Sequence, residues 1–344
     1  MTAPRGNAMR RWTVVIQVTT TSGVPLSESV GDGDWDAIHA RHQRELLGYC
    51  YRMLGSPFEA EEAVQETWLR AWRGRADFAG RASLRVWLYR IATNVCLDLL
   101  RQRPRRERPV DVTGAGDASS PLGPRDDDRW LLPAPDRWLL PPEPDPAGAA
   151  VLRDSVRLAF VAALHRLPPT QRAALLARDI LRLSAVETAE LLDVTVPAAN
   201  GLLRRARHRM ADSRSEDGPG AAELTEDQRA LLDRYVAAFG RHDIPALLAL
   251  LHDDATLSMP PHALWLSGRA QIARWFRRDP NPCRDSRALP ATANGAPAVA
   301  LLHRDASGSA WQPFAVQLLT VRDDRIAALD AFLDPRLVAL FGEG

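Results

Sequence analysis

Eight of the chain's 26 prolines fall between residues 111 and 150. Proline fixes its own φ and has no backbone N–H, so neither a continuous helix nor a central strand passes through such a stretch. The segment therefore predicts an extended linker between two helix-patterned blocks. It also carries a near repeat, Arg129-Trp-Leu-Leu-Pro and Arg137-Trp-Leu-Leu-Pro. Exposed indoles and leucines are costly unless covered, so the linker is expected to dock on a domain surface through Trp130, Leu131, Pro133 and Trp138.

Upstream of the linker the apolar spacing is helical. In Glu59–Arg73, the residues Ala60, Ala63, Val64, Thr67, Trp68 and Ala71 form one stripe, with Glu59, Glu62 and Glu66 expected on the outer face. A second helix, about Leu84–Gln102, is expected to bury Leu84, Leu88, Ile91, Val95 and Leu99 and to turn Arg85, Arg90 and Asn94 outward. The aromatics Phe78, Trp87 and Tyr89 interleave with its arginines. Aromatic rings stack on unpaired bases while Arg follows a phosphate backbone, a combination suited to single-stranded DNA.

Downstream, Ser184–Leu192, Asp193-Val194-Thr195 and Val196–Met210 read as helix, three-residue turn and helix, with Thr195 as the cap and Ala199 and Leu202 facing the core. The second helix carries Asn200, Arg204, Arg205 and Arg207, the groups that pair with adenine, guanine and phosphate in a major groove. After the polar stretch Ser213–Gly220 the texture changes. Two helical segments, Glu226–Arg241 and Ile244–His252, precede alternating runs at Val299–Arg304, Phe314–Arg322 and Arg325–Phe332, which predict an α+β domain with a curved antiparallel sheet.

Charge follows the same division. Residues 34–110 carry 14 basic against 10 acidic groups, 111–150 carry 3 against 8, 151–223 carry 11 against 9, and 224–344 carry 13 against 14. Polyanion contact is thus expected of the two helical blocks only. Three distant cysteines, Cys50, Cys96 and Cys283, offer neither a disulfide framework nor a CxxC metal motif, which suits a reducing cytoplasm. His39 and His42 with Cys50 lack a fourth ligand and make a weak metal set, so no metal is expected. No apolar run approaches the roughly 20 residues that span a bilayer, and no membrane partner is expected.

Glu59–Trp72 and Phe78–Asp98 closely resemble region 2 of the extracytoplasmic-function (ECF) sigma factors. Leu164-His-Arg-Leu-Pro-Pro-Thr-Gln-Arg with the helix-turn-helix resembles region 4. Met259–Arg269, Ala293–Ala298 and Ala331–Pro335 are similar to a SnoaL-like (NTF2-like) domain, and Trp130–Arg137 resembles the linker of the SigG-type subgroup. The resemblance implies a multidomain fold: an N-terminal arm, taken as disordered, over 1–33; an all-α region 2 over 34–105; a Pro-rich linker over 106–149; an all-α region 4 over 150–213; and an α+β cone over 224–344.

It implies function as well. Glu62, Gln65 and Glu66 would bind the β′ clamp helices of core RNA polymerase; Phe78, Trp87 and Asn94 would open the −10 element of promoter DNA; the recognition helix would read the −35 element. The resemblance implies no cofactor. The C-terminal domain would modulate that activity and leaves room for a small-molecule ligand. Two other readings compete: a conventional helix-turn-helix regulator and a SnoaL-like cyclase or isomerase. His242, His252, His262 and Asp330 are the candidate acid–base groups of the latter, read here as structural, so no catalytic residue is expected.

Overall fold

The computed structural model describes residues 32–78, 83–103, 105–140, 155–212, 225–279, 283–305 and 307–341. The expected N-terminal arm lies almost wholly outside these residues.

The first block is three helices, α1 (Asp32–Leu54), α2 (Pro57–Gly74) and α3 (Leu84–Gln102). Gly55 makes the turn into α2 at φ +72°, and Ser56 caps α2 by accepting from the Glu59 amide. Ser83 likewise caps α3. Two expectations for these helices need correction. Glu59 is buried, because Arg106 donates to it at 2.6 Å and Arg103 pairs with it as well. The buried stripe of α3 is rotated toward Val86, Tyr89, Thr93 and Cys96, alongside Leu88 and Val95, leaving Leu84, Ile91 and Leu99 half-buried. The Tyr49 hydroxyl, 2.7 Å from Thr93, draws that side inward, and Tyr89 becomes core.

The second block holds α6 (Leu158–His165), α7 (Pro169–Leu175) running on through a π turn at Leu176–Ile180, α8 (Ala185–Leu192) and α9 (Val196–Asp212). A Ser184–Glu187 capping box starts α8, and Asp193 closes it in the left-handed region at φ 54°, which Asp tolerates. Thr195 caps α9 as expected, accepting from the Ala198 amide at 3.4 Å. Leu203, rather than Leu202, joins Ala199 in the core.

The C-terminal block opens with α10 (Glu226–Gly240) and α11 (Ile244–Ala249). Its six strands, β1 (Leu251–Ser258), β2 (Trp265–Ser267), β3 (Ser286–Ala293), β4 (Ala296–Arg304), β5 (Trp311–Arg322) and β6 (Arg325–Phe332), are ordered β2-β1-β6-β5-β4-β3. Helices α12 (Arg269–Arg277) and α13 (Pro335–Phe341) complete it. The sheet is mixed rather than wholly antiparallel, since β1 runs parallel to β6. His252, expected at a helix end, lies in β1.

Both faces of this sheet are covered. On β4, Val299 and Leu301 face a core shared with α10 and α12, while Ala298 and Ala300 join the core of the two helical blocks. The linker is the mortar between them, and it is more deeply seated than a surface strap. Trp130, Leu131, Leu132, Pro133 and Ala134 are all buried, with short helices α4 (Pro109–Val112) and α5 (Asp136–Leu139) on either side. The Trp130 indole donates to Pro261 O at 2.8 Å, Arg106 donates to Trp130 O at 2.7 Å, and Tyr51 donates to Leu132 O at 2.9 Å. Trp138 is half-buried against the same core.

One turn gathers all these parts. Asn294, in the β3–β4 hairpin at φ 54°, accepts from Ala134 N at 2.9 Å and donates to Tyr51 Oη at 2.8 Å and to Val156 O at 2.5 Å. It thereby bonds the linker, the first helical block and the approach to the second. Truncation leaves these buried partners unpaired, at about 1–3 kcal/mol each before relaxation. Asn294→Ala is expected to cost about 2–4 kcal/mol, read as a lower urea midpoint; an unchanged midpoint would show that these bonds do not hold the blocks together.

Candidate functional site

Between α2 and α3 lies a hollow of about 260 Å³ lined by Arg70, Gly74, Trp87, Ile91 and Asn94. Trp87, Ile91 and Asn94 fall at helical i, i+4 and i+7 positions and so share one face. Phe78 leans on Trp87 with ring centroids 4.9 Å apart. The structure therefore brings Phe78, Trp87 and Asn94 together. Asn94 is exposed at the rim, and Arg70 is held beside it by Glu66 at 2.6 Å and Asp98 at 3.5 Å. An indole wall with an amide and a guanidinium at its edge suits a flat heterocycle that stacks and hydrogen-bonds. Sequence reasoning missed Arg70, Gly74 and Ile91; the helical offset of Ile91 from Trp87 was a usable signal, whereas the α2 partners required knowing how α2 crosses α3.

Beside the hollow on α2, Glu62 and Gln65 are exposed and Glu66, which bonds Arg70, is partly so. Leu69 and Trp72, 51% and 42% exposed, extend this stripe at three- and four-residue spacing. They too escaped the sequence reading, although their offset from Gln65 places them there. Arg103 reaches Glu62 at 3.4 Å, and Arg75 covers the Trp72 ring at 3.7 Å. An apolar pair bordered by carboxylates is a protein-contact surface in chemical character.

On α9, Asn200, Arg204 and Arg205 are exposed. Arg207 is exposed as well, but its guanidinium is engaged by Asp179 at 2.6 Å. This pair holds the end of α9 to the π turn, so Arg207 approaches an anion only in competition with Asp179.

The candidate acid–base groups are not brought together. His242 occupies a left-handed turn, His252 Nδ1 lies 2.6 Å from Asp254, and Asp330 accepts from Ser258 at 2.5 Å. His262 faces a separate cavity. His39 packs on Trp68, Cys50 is buried in the α1–α3 core, and among the described residues no group of three or more His, Cys, Asp or Glu converges on a metal position.

Behind α3, Glu45 accepts from Arg85 at 3.2 Å and from the Tyr89 hydroxyl at 3.3 Å, while Arg85 also donates to Leu181 O in the second block. His42, whose Nδ1 lies 4.0 Å from the carboxylate, helped by the Arg85 charge and opposed by partial burial, holds the Glu45 carboxyl down to about 2. A depressed carboxyl stabilises the fold above its ordinary pKa near 4.5 and loses that contribution as pH falls toward about 2. The side chain is half-exposed, so the effect is screened to about 1 kcal/mol or less. Glu45→Gln is expected to be slightly less stable than the parent at pH 6, the gap closing toward pH 2; urea midpoints across that range check it, and a constant gap would contradict it.

Residues 38–106 match the family described as Sigma-70 region 2, residues 157–210 match Sigma-70 region 4, and residues 232–329 match the SnoaL-like domain. The ECF RNA polymerase sigma factor SigG of Mycobacterium tuberculosis is 42% identical over 90% of this chain and 84% of its own length. SigJ of the same species is 27% identical over 63% of this chain and 62% of its own. The crystal structure of the M. tuberculosis extracytoplasmic function sigma factor SigJ superimposes with a TM-score of 0.55 at 22% identity, covering 89% of this chain and 99% of that one, which is a likeness of fold.

Proposed function

The chain belongs to the ECF RNA polymerase sigma factors, and from that premise we propose that it joins core RNA polymerase in the cytoplasm, guides it to promoter DNA, and is held closed by its own C-terminal domain until released. Residues 34–105 serve as region 2 and 150–213 as region 4, with 106–149 as linker and 224–344 as the SnoaL-like domain.

Each role follows from chemistry already described. The stripe of Glu62, Gln65 and Glu66, extended by Leu69 and Trp72, meets the β′ clamp helices. The α2–α3 hollow, with Phe78, Trp87 and Asn94, accepts a base flipped from the opened −10 element, and Arg70 meets the adjoining phosphate or base edge. Asn200, Arg204 and Arg205 read the −35 element, with Arg207 a weaker contact because Asp179 competes for it. The chain itself performs no chemistry in this reading; the polymerase does.

One observation carries the closed form: Arg90 on α3 lies 3.5 Å from Asp193, the residue that begins the helix-turn-helix turn. At 1.5 Å per residue, Asn94 lies about 6 Å along α3 from that contact, and Asn200 lies about 6 Å along α9 from Val196, which the three-residue turn joins to it. The two reading surfaces are thus within roughly 30 Å of each other. The −10 and −35 elements are separated by about 25 base pairs, or about 85 Å at 3.4 Å per step. Both cannot be read from this arrangement. Buried arginines seal it: Arg172 of region 4 donates to Met53 O and to Leu164 O, and Arg52 of region 2 donates to Ser155 Oγ at 2.9 Å.

Two expected outcomes follow. Replacing Glu62 and Glu66 together by Arg puts like charges against a basic partner and is expected to weaken binding to core polymerase by about tenfold or more; unchanged co-purification with the core would contradict the α2 assignment. Asn294→Ala, which loosens the C-terminal domain without touching either reading surface, is expected to raise promoter-dependent transcript several-fold at limiting polymerase. A folded variant with unchanged or lower output would overturn the closed form.

A further inference from the structure

The C-terminal cone encloses a second cavity of about 290 Å³ that neither reading surface uses. Its walls are apolar: Leu257, Leu301, Trp275, Phe276 and Phe314 supply most of them. Two polar side chains are set into this lining, and the bonds each makes outward fix what it offers inward.

Gln317 is buried, and its Oε1 accepts the Tyr235 hydroxyl at 2.7 Å. The amide nitrogen is left as a donor toward the cavity. His262 has Nδ1 2.9 Å from the carbonyl oxygen of Gly123. A carbonyl only accepts, so Nδ1 carries the hydrogen, and in the neutral ring Nε2 is the acceptor. Among the described residues lining the rim the cation is Arg125, and it is already engaged with Asp127 at 2.9 Å and with Leu333 O. Among the described residues a buried anion would find no unengaged guanidinium at this rim, at a cost that favours an uncharged occupant.

The rim itself belongs to the linker. Leu122 lines the cavity, and Gly123, at φ +74°, turns the chain so that its carbonyl meets His262. Around them the linker is fastened to the cone by two backbone bonds, Gly116 N to Trp265 O at 2.8 Å and Asp126 N to Pro261 O at 3.0 Å, and by the Trp265 indole donating to Thr113 O at 2.8 Å. The cavity has its volume with this lid in place, so an occupant gains the lid's contacts instead of displacing it.

We infer that the cone binds an uncharged, largely apolar small molecule carrying a hydroxyl, which Gln317 and His262 recognise, and that Leu122 and Gly123 close over it so that occupancy tightens linker docking. Such a molecule is a co-repressor: it favours the state in which regions 2 and 4 stay packed. That regulatory consequence rests on the closed form proposed above; the binding site does not.

The test uses the full-length protein and 1-naphthol, a neutral fluorescent hydroxyl compound, with naphthalene as its hydroxyl-free counterpart. The parent protein is expected to bind 1-naphthol about 2–10-fold more tightly than naphthalene, the yield of one net hydrogen bond. Gln317→Leu is expected to erase that preference while still binding naphthalene. Because this change also strips a partner from Tyr235, Leu122→Ala provides a second variant; it removes only the lid contact and is expected to weaken both probes several-fold. Saturation of the parent with 1-naphthol is expected to slow hydrogen exchange at the Gly116 and Asp126 amides by the factor 1 + [probe]/Kd, about 100-fold at a hundred times Kd.

Absence of binding, equal binding of the two compounds by the parent, or exchange at Gly116 and Asp126 that ignores the probe would overturn the inference. Slowed exchange with unaltered promoter output would leave the site standing and count against the closed form instead.

Discussion

The β-sheet of the C-terminal domain has no face to spare. Along β4, alternate side chains enter two different cores, Val299 and Leu301 with the helices of the cone, Ala298 and Ala300 with the sigma helices. Alanine on the outer side leaves room for α13, which packs on β4 and β5, and it offers little apolar surface to lose. The attachment therefore depends on directional bonds as well as on burial, and those converge on Asn294. Its left-handed turn brings one amide within reach of Tyr51, Ala134 and Val156, three segments far apart in sequence. A buried amide that satisfies every neighbour specifies one arrangement; partly satisfied, it would penalise that same arrangement.

From this attachment the remaining contacts follow. Once the linker is pinned at Ala134, Trp130 reaches Pro261 and Arg106 reaches both Trp130 O and Glu59, so α2 is coupled to the linker through a buried ion pair. Removing one member of such a pair strands the other charge at about 3–5 kcal/mol. Exposed pairs such as Arg90 with Asp193 contribute far less, about 0–1 kcal/mol. In the proposed closed form the seal is therefore the linker and the buried arginine bonds, while the Arg90–Asp193 contact is weak enough to be released. A preference of about 1–3 kcal/mol separates a closed from an open population by 5–150-fold.

Much of this was legible in the residues. The helical spacing of Ala60, Ala63, Val64, Thr67 and Ala71 describes the buried side of α2, and Thr195 and Asp193 mark the helix-turn-helix turn because each side chain has a local backbone reason to be there. Trp130 signalled docking because an indole in a proline-rich segment needs cover. What could not be read is what depends on a partner distant in sequence. Glu59 looks like an outer-face acid until Arg106, 47 residues away, is placed beside it. The α3 stripe rotates because Tyr49 and Thr93 find each other across helices, and β1 pairs in parallel with β6 because the cone closes on itself. Arg70 and Gly74 entered the α2–α3 hollow through a helix crossing that no local pattern announces.

The separation of regions 2 and 4 in solution and on DNA tests the closed form most directly. Donor and acceptor dyes at Arg101 on α3 and Val186 on α8, both exposed, report it through energy transfer without occupying either reading surface. The free protein is expected to show high transfer, and the complex with core polymerase on promoter DNA is expected to show low transfer, as the two regions part toward the span of about 85 Å between the −10 and −35 elements. High transfer in a promoter complex that is actively making transcript, or low transfer in the free protein, would contradict it.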